Sequence, residues 1–134
     1  NPRFSISPIE RDREGPSYTV DTVHLLKRGQ EDAEFYFICG TDALADLPTW
    51  KYNRELLESC HFICASRPGY EKQLKRSVAY FGELGEAKIH FLKVPELEIS
   101  STILRNRLAQ GKSARYFIPD GVIRFITTHH LYKG

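Results

Sequence analysis

The sequence predicts an α/β protein built on a parallel sheet with helices on both faces. Three observations carry this. Short apolar runs, Glu34 to Cys39 (EFYFIC) and His61 to Ala65 (HFICA), are too short for helices and suit buried strands. Segments of helical periodicity separate them. The connections are short and marked by Gly, Pro and Ser, which is the pattern of strands joined by crossover helices.

Taken in order, Phe4-Ser5-Ile6-Ser7 alternates apolar and polar residues and predicts a first short strand, ended by Pro8 and the charged run Glu10 to Glu14. Gly15-Pro16-Ser17 is a turn, with Ser17 expected to cap a helix carrying Val20, Val23 and Leu26 and closing near Arg28-Gly29. The EFYFIC strand follows. A helical turn is expected over Asp42 to Leu47, stopped by Pro48, then a helix over Asn53 to Ser59 and the HFICA strand. Next come a helix from about Glu71 to Leu84 and a strand over Lys88 to Val94. Ser100 or Ser101 caps a helix running to Gln110 and stopped by Gly111, and Pro119 opens a last helix through about Thr128. No repeat, low-complexity stretch or linker interrupts the chain, so residues 1–134 are expected to form a single domain.

Composition excludes several classes. With 19 basic and 17 acidic residues among 134, the formal charge is +2, and no basic stripe with interleaved aromatics suggests nucleic acid. No apolar run approaches the length of a membrane span, and no secretory signal pattern is visible. The three cysteines, Cys39, Cys60 and Cys64, form no CxxC pair or zinc spacing. Cys39 and Cys64 lie in apolar runs and are expected to be buried and reduced, which fits a cytoplasmic protein.

In open parallel sheets, ligands bind beyond the carboxyl ends of the strands. Four segments fall there: residues 15–19, residues 40–43 leading to Trp50, residues 66–69, and residues 99–105. Ser100, Ser101 and Thr102 open a helix whose free amides attract an anion, and Arg105 lies on the same face as Ser101, so together they suit a phosphate. On the local pattern alone, an ordinary serine cap beside a solvated arginine is the commoner explanation, since such caps are frequent. Asp42, after the strand-ending Gly40, suits ribose hydroxyls or a turn cap. Trp50, the single tryptophan, suits a flat aromatic ligand or the core. The amides of Tyr18 and Thr19 suit a carboxylate or a plain helix start, and Arg67 suits a phosphate or a surface loop.

Other patterns are rejected. Gly111-Lys112-Ser113 imitates the end of a phosphate-binding loop, but Asn106 stands where a glycine is required. His129 and His130 are adjacent and cannot share a metal at helical spacing, and His24, His61 and His90 show no triad spacing.

Together the motifs GPSYTVDT (15–22), ICGTDALADLPTW (38–50), SRPGY (66–70) and ISSTILR (99–105), with the tail YFIPDGVIRFITTHHLY (116–132), resemble the successive motifs of bacterial nicotinate-nucleotide adenylyltransferase. The resemblance covers essentially the whole chain and implies a Rossmann-like nucleotidyltransferase fold. It implies joining of nicotinate mononucleotide to ATP with Mg2+, giving nicotinate adenine dinucleotide and pyrophosphate. By the same resemblance, Trp50 stacks on the nicotinate ring, Tyr18 and Thr19 receive its carboxylate, and Arg67 holds the mononucleotide phosphate. Gly40 and Asp42 contact the adenosine side, Ile99 lies near adenine, and Ser100, Ser101, Thr102 and Arg105 bind ATP phosphates. The partners implied are these two small molecules, with no nucleic acid or membrane and with homo-oligomerisation open.

The departure is at the N-terminal side. The family begins with a strand and a GxFDPxHxGH loop, which nothing here matches, so the chain is expected to be the C-terminal two-thirds of such an enzyme and inactive alone. No catalytic residue and no protein ligand to the metal can be assigned. The competing function classes are a non-catalytic nucleotide-binding fragment that needs a complementing segment, and a sibling adenylyltransferase of the phosphopantetheine type, against which the PTW and GPSYT motifs speak.

Overall fold

In the computed structural model, residues 1–30, 32–66, 71–95 and 99–132 are described. The chain divides into two compact units, Asn1–Pro95 and Glu96–Gly134.

The first unit holds a three-stranded parallel sheet of β1 (Tyr36–Gly40), β2 (His61–Ser66) and β3 (Ile89–Lys93), in the order β1-β2-β3. Register pairs Ile38 with Ile63 and Cys39 with Cys64 across β1 and β2, then Phe62 with Ile89 and Cys64 with Phe91 across β2 and β3. Among the described residues, α1 (Thr19–Lys27) precedes β1, α2 (Thr41–Asp46), a 3-10 turn over Leu47–Thr49 and α3 (Asn53–Ser59) lie between β1 and β2, and α4 (Glu71–Phe81) and α5 (Glu83–Lys88) lie between β2 and β3.

Period-two alternation divides the strand residues between two faces. One face carries Cys39, Phe62, Cys64 and Ile89, which join Val20, Val23, Leu44, Leu47, Leu56, Leu57, Leu74 and Phe81 in one core. Leu74 and Phe81 lie seven residues apart on α4, two turns along one stripe. The other face leaves Tyr36, Ile38 and Leu92 exposed. Lys27 fastens α1 to α3 by donating from Nζ to the Ser59 carbonyl at 3.0 Å, a cation at a helix C-terminus.

Three sequence expectations need correction. Phe4 to Ser7 is not a strand; Phe4 and Ile6 are 81% and 98% exposed, and among the described residues no strand pairs with that segment, so its alternation has no sheet to join. Ser17 does not cap α1. Tyr18 occupies that position without a side-chain bond, and the Ser17 hydroxyl donates to the Glu10 carbonyl. The helix expected to continue to Leu84 breaks at Gly82, whose φ of 60° and ψ of −135° suit glycine and end α4 before α5 begins. Gly29, with φ 75°, closes α1 in the left-handed conformation as expected.

The second unit holds α6 (Ser101–Ala109) and α7 (Asp120–Thr128). Ser100 caps α6, its Oγ accepting the Ile103 amide at 3.2 Å. Ala114 is buried between them in sequence, and Arg107 lies over the Phe117 ring at 5.2 Å while donating to the Ser113 carbonyl. Pro119 stands at the N-cap of α7.

Candidate functional site

Three of the residues singled out from sequence come together in the first unit. Tyr18, Thr19 and Trp50 line one cavity of about 230 Å³, with Ser17 and Lys51. The start of α1 forms one wall. Its first amides, like those of any helix, lack intrahelical acceptors, and no side chain caps them. They are hydrogen-bond donors with the positive end of the helix behind them.

The rest of the described lining comes from the chain that leaves the 3-10 turn. Pro48 in its first turn sets that turn, and Trp50 follows in extended conformation at its end. The indole is half-buried. It meets Phe37 edge-on, with ring centroids 5.9 Å apart and planes at 89°, and approaches Phe62 at 6.5 Å. The core and ligand roles considered for Trp50 are therefore compatible, since it packs on the core and lines the cavity at once.

Lys51 was not singled out by its sequence context; adjacency to Trp50 was the only signal. Its ammonium stands 4.3 Å from the Tyr18 ring centre and 4.9 Å from that of Tyr52. Tyr52 sits in the left-handed region at φ 57°, which turns the chain into α3.

Gly40 and Asp42 bracket the end of β1 and the start of α2. Gly40 is the N-cap, so Asp42 is an exposed acid in the first turn and not the cap. Between them Thr41 is buried, and its Oγ1 has no hydrogen-bond partner among the described residues. Gly40 and Asp42 do not line the cavity of Tyr18 and Trp50. Arg67 lies outside the described residues.

In the second unit, Ser101, Thr102 and Arg105 are exposed on the first turns of α6, and the Arg105 guanidinium donates to Thr102 Oγ1 at 3.4 Å. Ile99 is 38% exposed just before the cap. The serine cap and the open arginine coexist, so the simple capping role is real for Ser100 and leaves the remaining amides of the turn available.

Two polar groupings lie elsewhere. His24 Nε2 is 2.9 Å from Ser59 Oγ and 3.8 Å from Glu55, but both contacts use one ring nitrogen, so this is not a nucleophile–base–acid relay. On the exposed sheet face, His61 Nδ1 meets His90 Nε2 at 2.9 Å and His61 Nε2 meets Lys88 Nζ at 3.3 Å. Burial, then Lys88 and His90, hold the His61 pKa below its ordinary value. Cys39, Cys60 and Cys64 are all free and buried, and burial pushes the first two thiols up to about 12 and about 11. They are inert packing groups at neutral pH.

A family pattern described as Cytidylyltransferase-like matches residues 1–107. Relatives carrying the name probable nicotinate-nucleotide adenylyltransferase align over the whole chain: 43% identical in Frankia alni, 44% in Streptomyces coelicolor and 41% in Mycobacterium avium. The chain belongs to the nicotinate-nucleotide adenylyltransferase family. It spans about two thirds of those relatives' lengths, 67%, 68% and 63% respectively. The fold agrees with that of a solved structure titled Plasmodium falciparum nicotinic acid mononucleotide adenylyltransferase complexed with APC, at a TM-score of 0.65 and 24% identity over 89% of this chain and 60% of that one. The nucleotidyltransferase fold expected from the motifs is thus present. No helix among the described residues is long and apolar enough to cross a membrane.

Proposed function

We propose that this chain supplies the substrate-binding wall of an enzyme that joins nicotinate mononucleotide to ATP. In that reaction a phosphate oxygen of the mononucleotide attacks the α-phosphorus of ATP. The bond from that phosphorus to the bridging oxygen breaks, and pyrophosphate leaves. The observation that carries the reading is the cavity lined both by Trp50 and by the uncapped start of α1 at Tyr18 and Thr19. A flat ring fits against the indole, and its carboxylate fits the helix amides.

In this assignment Arg67 holds the mononucleotide phosphate, Gly40 and Asp42 contact the adenosine side, and Ile99 lies near adenine. Ser100, Ser101, Thr102 and Arg105 take the ATP phosphates. Mg2+ arrives with the nucleotide. Phosphate oxygens of the nucleotide and water are natural ligands for Mg2+.

Adenylyl transfer is accelerated by groups that offset charge at the α-phosphate and at departing pyrophosphate. Residues 1–134 contain no GxFDPxHxGH sequence to do this. The chain alone is therefore expected to bind more than it turns over, falling at least about 10⁴-fold short if two such donors are missing. The test measures pyrophosphate release from ATP and nicotinate mononucleotide by the chain, with and without a separately made segment bearing that histidine motif. Rescue by the segment supports the reading. Turnover by the chain alone would show that some residue in 1–134 supplies the chemistry, and binding without rescue would leave a nucleotide-binding protein only.

A further inference from the structure

Among the described residues that line the cavity of Tyr18 and Trp50, Lys51 is the one charged side chain. Its ammonium is held between two rings, 4.3 Å from the centre of Tyr18 and 4.9 Å from that of Tyr52. Ring faces attract a cation without accepting its N–H bonds in the manner of a carboxylate. Among the described residues, no Asp or Glu lies within salt-bridge distance of Lys51; the ion pairs present join Arg11 to Asp12, Arg13 to Asp21 and His24 to Glu55. Lys51 is thus a cation held by Tyr18 and Tyr52, which also hydrogen-bond to it, at the rim of a cavity and without a carboxylate partner among the described residues. The start of α1, which lines the same cavity at Tyr18 and Thr19 without a side-chain cap, is also a positive helix end.

We propose that Lys51 is a specificity-determining residue of the pyridine subsite, selecting a ring that bears a carboxylate over one that bears a carboxamide. This rests on the assignment of that cavity to nicotinate mononucleotide. The helix amides alone discriminate weakly, because a carboxamide oxygen also accepts an N–H bond. A full positive charge favours the carboxylate, which carries a net negative charge, over the neutral amide. The ring contacts restrict the lysine in advance, so less freedom is lost when the anion arrives. Because Lys51 is exposed, its replacement should not disturb the core.

Trp50 is the sole tryptophan of the chain and lines the cavity, so its fluorescence reports occupancy. The experiment titrates the chain, wild type, Lys51→Met and Lys51→Arg, with nicotinate mononucleotide and separately with nicotinamide mononucleotide, after circular dichroism has confirmed equal folding. Lys51→Met is expected to weaken the nicotinate ligand about fivefold or more and the nicotinamide ligand less than about twofold, with Lys51→Arg restoring most of the difference. Equal weakening of both ligands assigns the lysine to their common phosphate and overturns the proposal, as does no change in either. If neither ligand alters Trp50 emission in the wild type, the substrate assignment of the cavity fails, and the role of Lys51 falls with it.

Discussion

Trp50 stands edge-on to Phe37, their ring centroids 5.9 Å apart and their planes at 89°, so the indole that lines the cavity is braced by the core. Truncation therefore removes two things at once. Trp50→Leu keeps apolar bulk against Phe37 and Phe62 while abolishing the broad stacking surface. Lost stacking is worth about 1–3 kcal/mol, so binding of nicotinate mononucleotide should weaken roughly 5- to 150-fold. The affinity for ATP should hardly move. Calorimetry with each ligand checks this, and equal losses for both would leave Trp50 as a core residue alone.

The orphan hydroxyl of Thr41 yields a second expectation. A buried oxygen without a partner carries an uncompensated desolvation cost. Thr41→Val replaces it with a methyl group of the same shape. Stability in urea should stay level or rise by up to about 1 kcal/mol. A loss of more than about 1 kcal/mol would mean that the hydroxyl has a hydrogen-bond partner in solution.

Much of the fold was legible because its signals were local. The limits of α3, from Asn53 to Ser59, follow from a short polar-apolar pattern between a turn and a strand, and β1 and β2 follow from compact apolar runs ended by Gly40 and Ser66. Phe4 to Ser7 misled because alternation states only that a segment could be half-buried; a strand also requires a neighbour to pair with. The break at Gly82 depends on one backbone conformation that composition does not specify. At the site, Trp50, Tyr18 and Thr19 were recognisable from residue type and motif, and the structure brings them to one cavity. Lys51 was not, because its place depends on two tyrosine rings, one of them 33 positions earlier, and spacing does not reveal that approach.

The His61 cluster sets a pH dependence with a definite sign. His61 contacts His90 and Lys88, both bases, and its pKa is lowered by burial first and then by these neighbours, with Glu34 opposing. A lowered histidine pKa means the folded state binds a proton less readily than the unfolded state, whose value lies near 6.5. This contribution is flat well above that value. Stability falls as pH drops through 6.5 toward the lower folded value, and the loss levels off once both states are protonated. Thermal melts of wild type and His61→Gln across that range check the claim. The wild type should lose melting temperature more steeply on acidification than the variant. Parallel curves, or a steeper variant, would show that His61 is not the group responsible.

Arg105 gives the sharpest separation of phosphate from base recognition. It projects from the second turn of α6, exposed, with one hydrogen bond to Thr102 Oγ1 at 3.4 Å. That contact is long and leaves most of the guanidinium's five donors available. If they meet ATP phosphates together with the amides of Ser101 and Thr102, Arg105→Ala loses charge-assisted bonds worth about 1.5–3 kcal/mol, roughly 10- to 150-fold in affinity for ATP. Adenosine lacks the phosphates, so its binding should be unchanged. Arg105→Lys should fall between, because it keeps the charge and loses the planar fork. Raising the salt concentration should narrow the gap between wild type and Arg105→Ala, since an exposed charge pair is screened. Calorimetric titration of the three proteins with ATP and with adenosine at low and high salt measures all of this. Equal weakening for ATP and adenosine would remove the phosphate role and leave Arg105 as a partner of Thr102 that steadies the start of the helix.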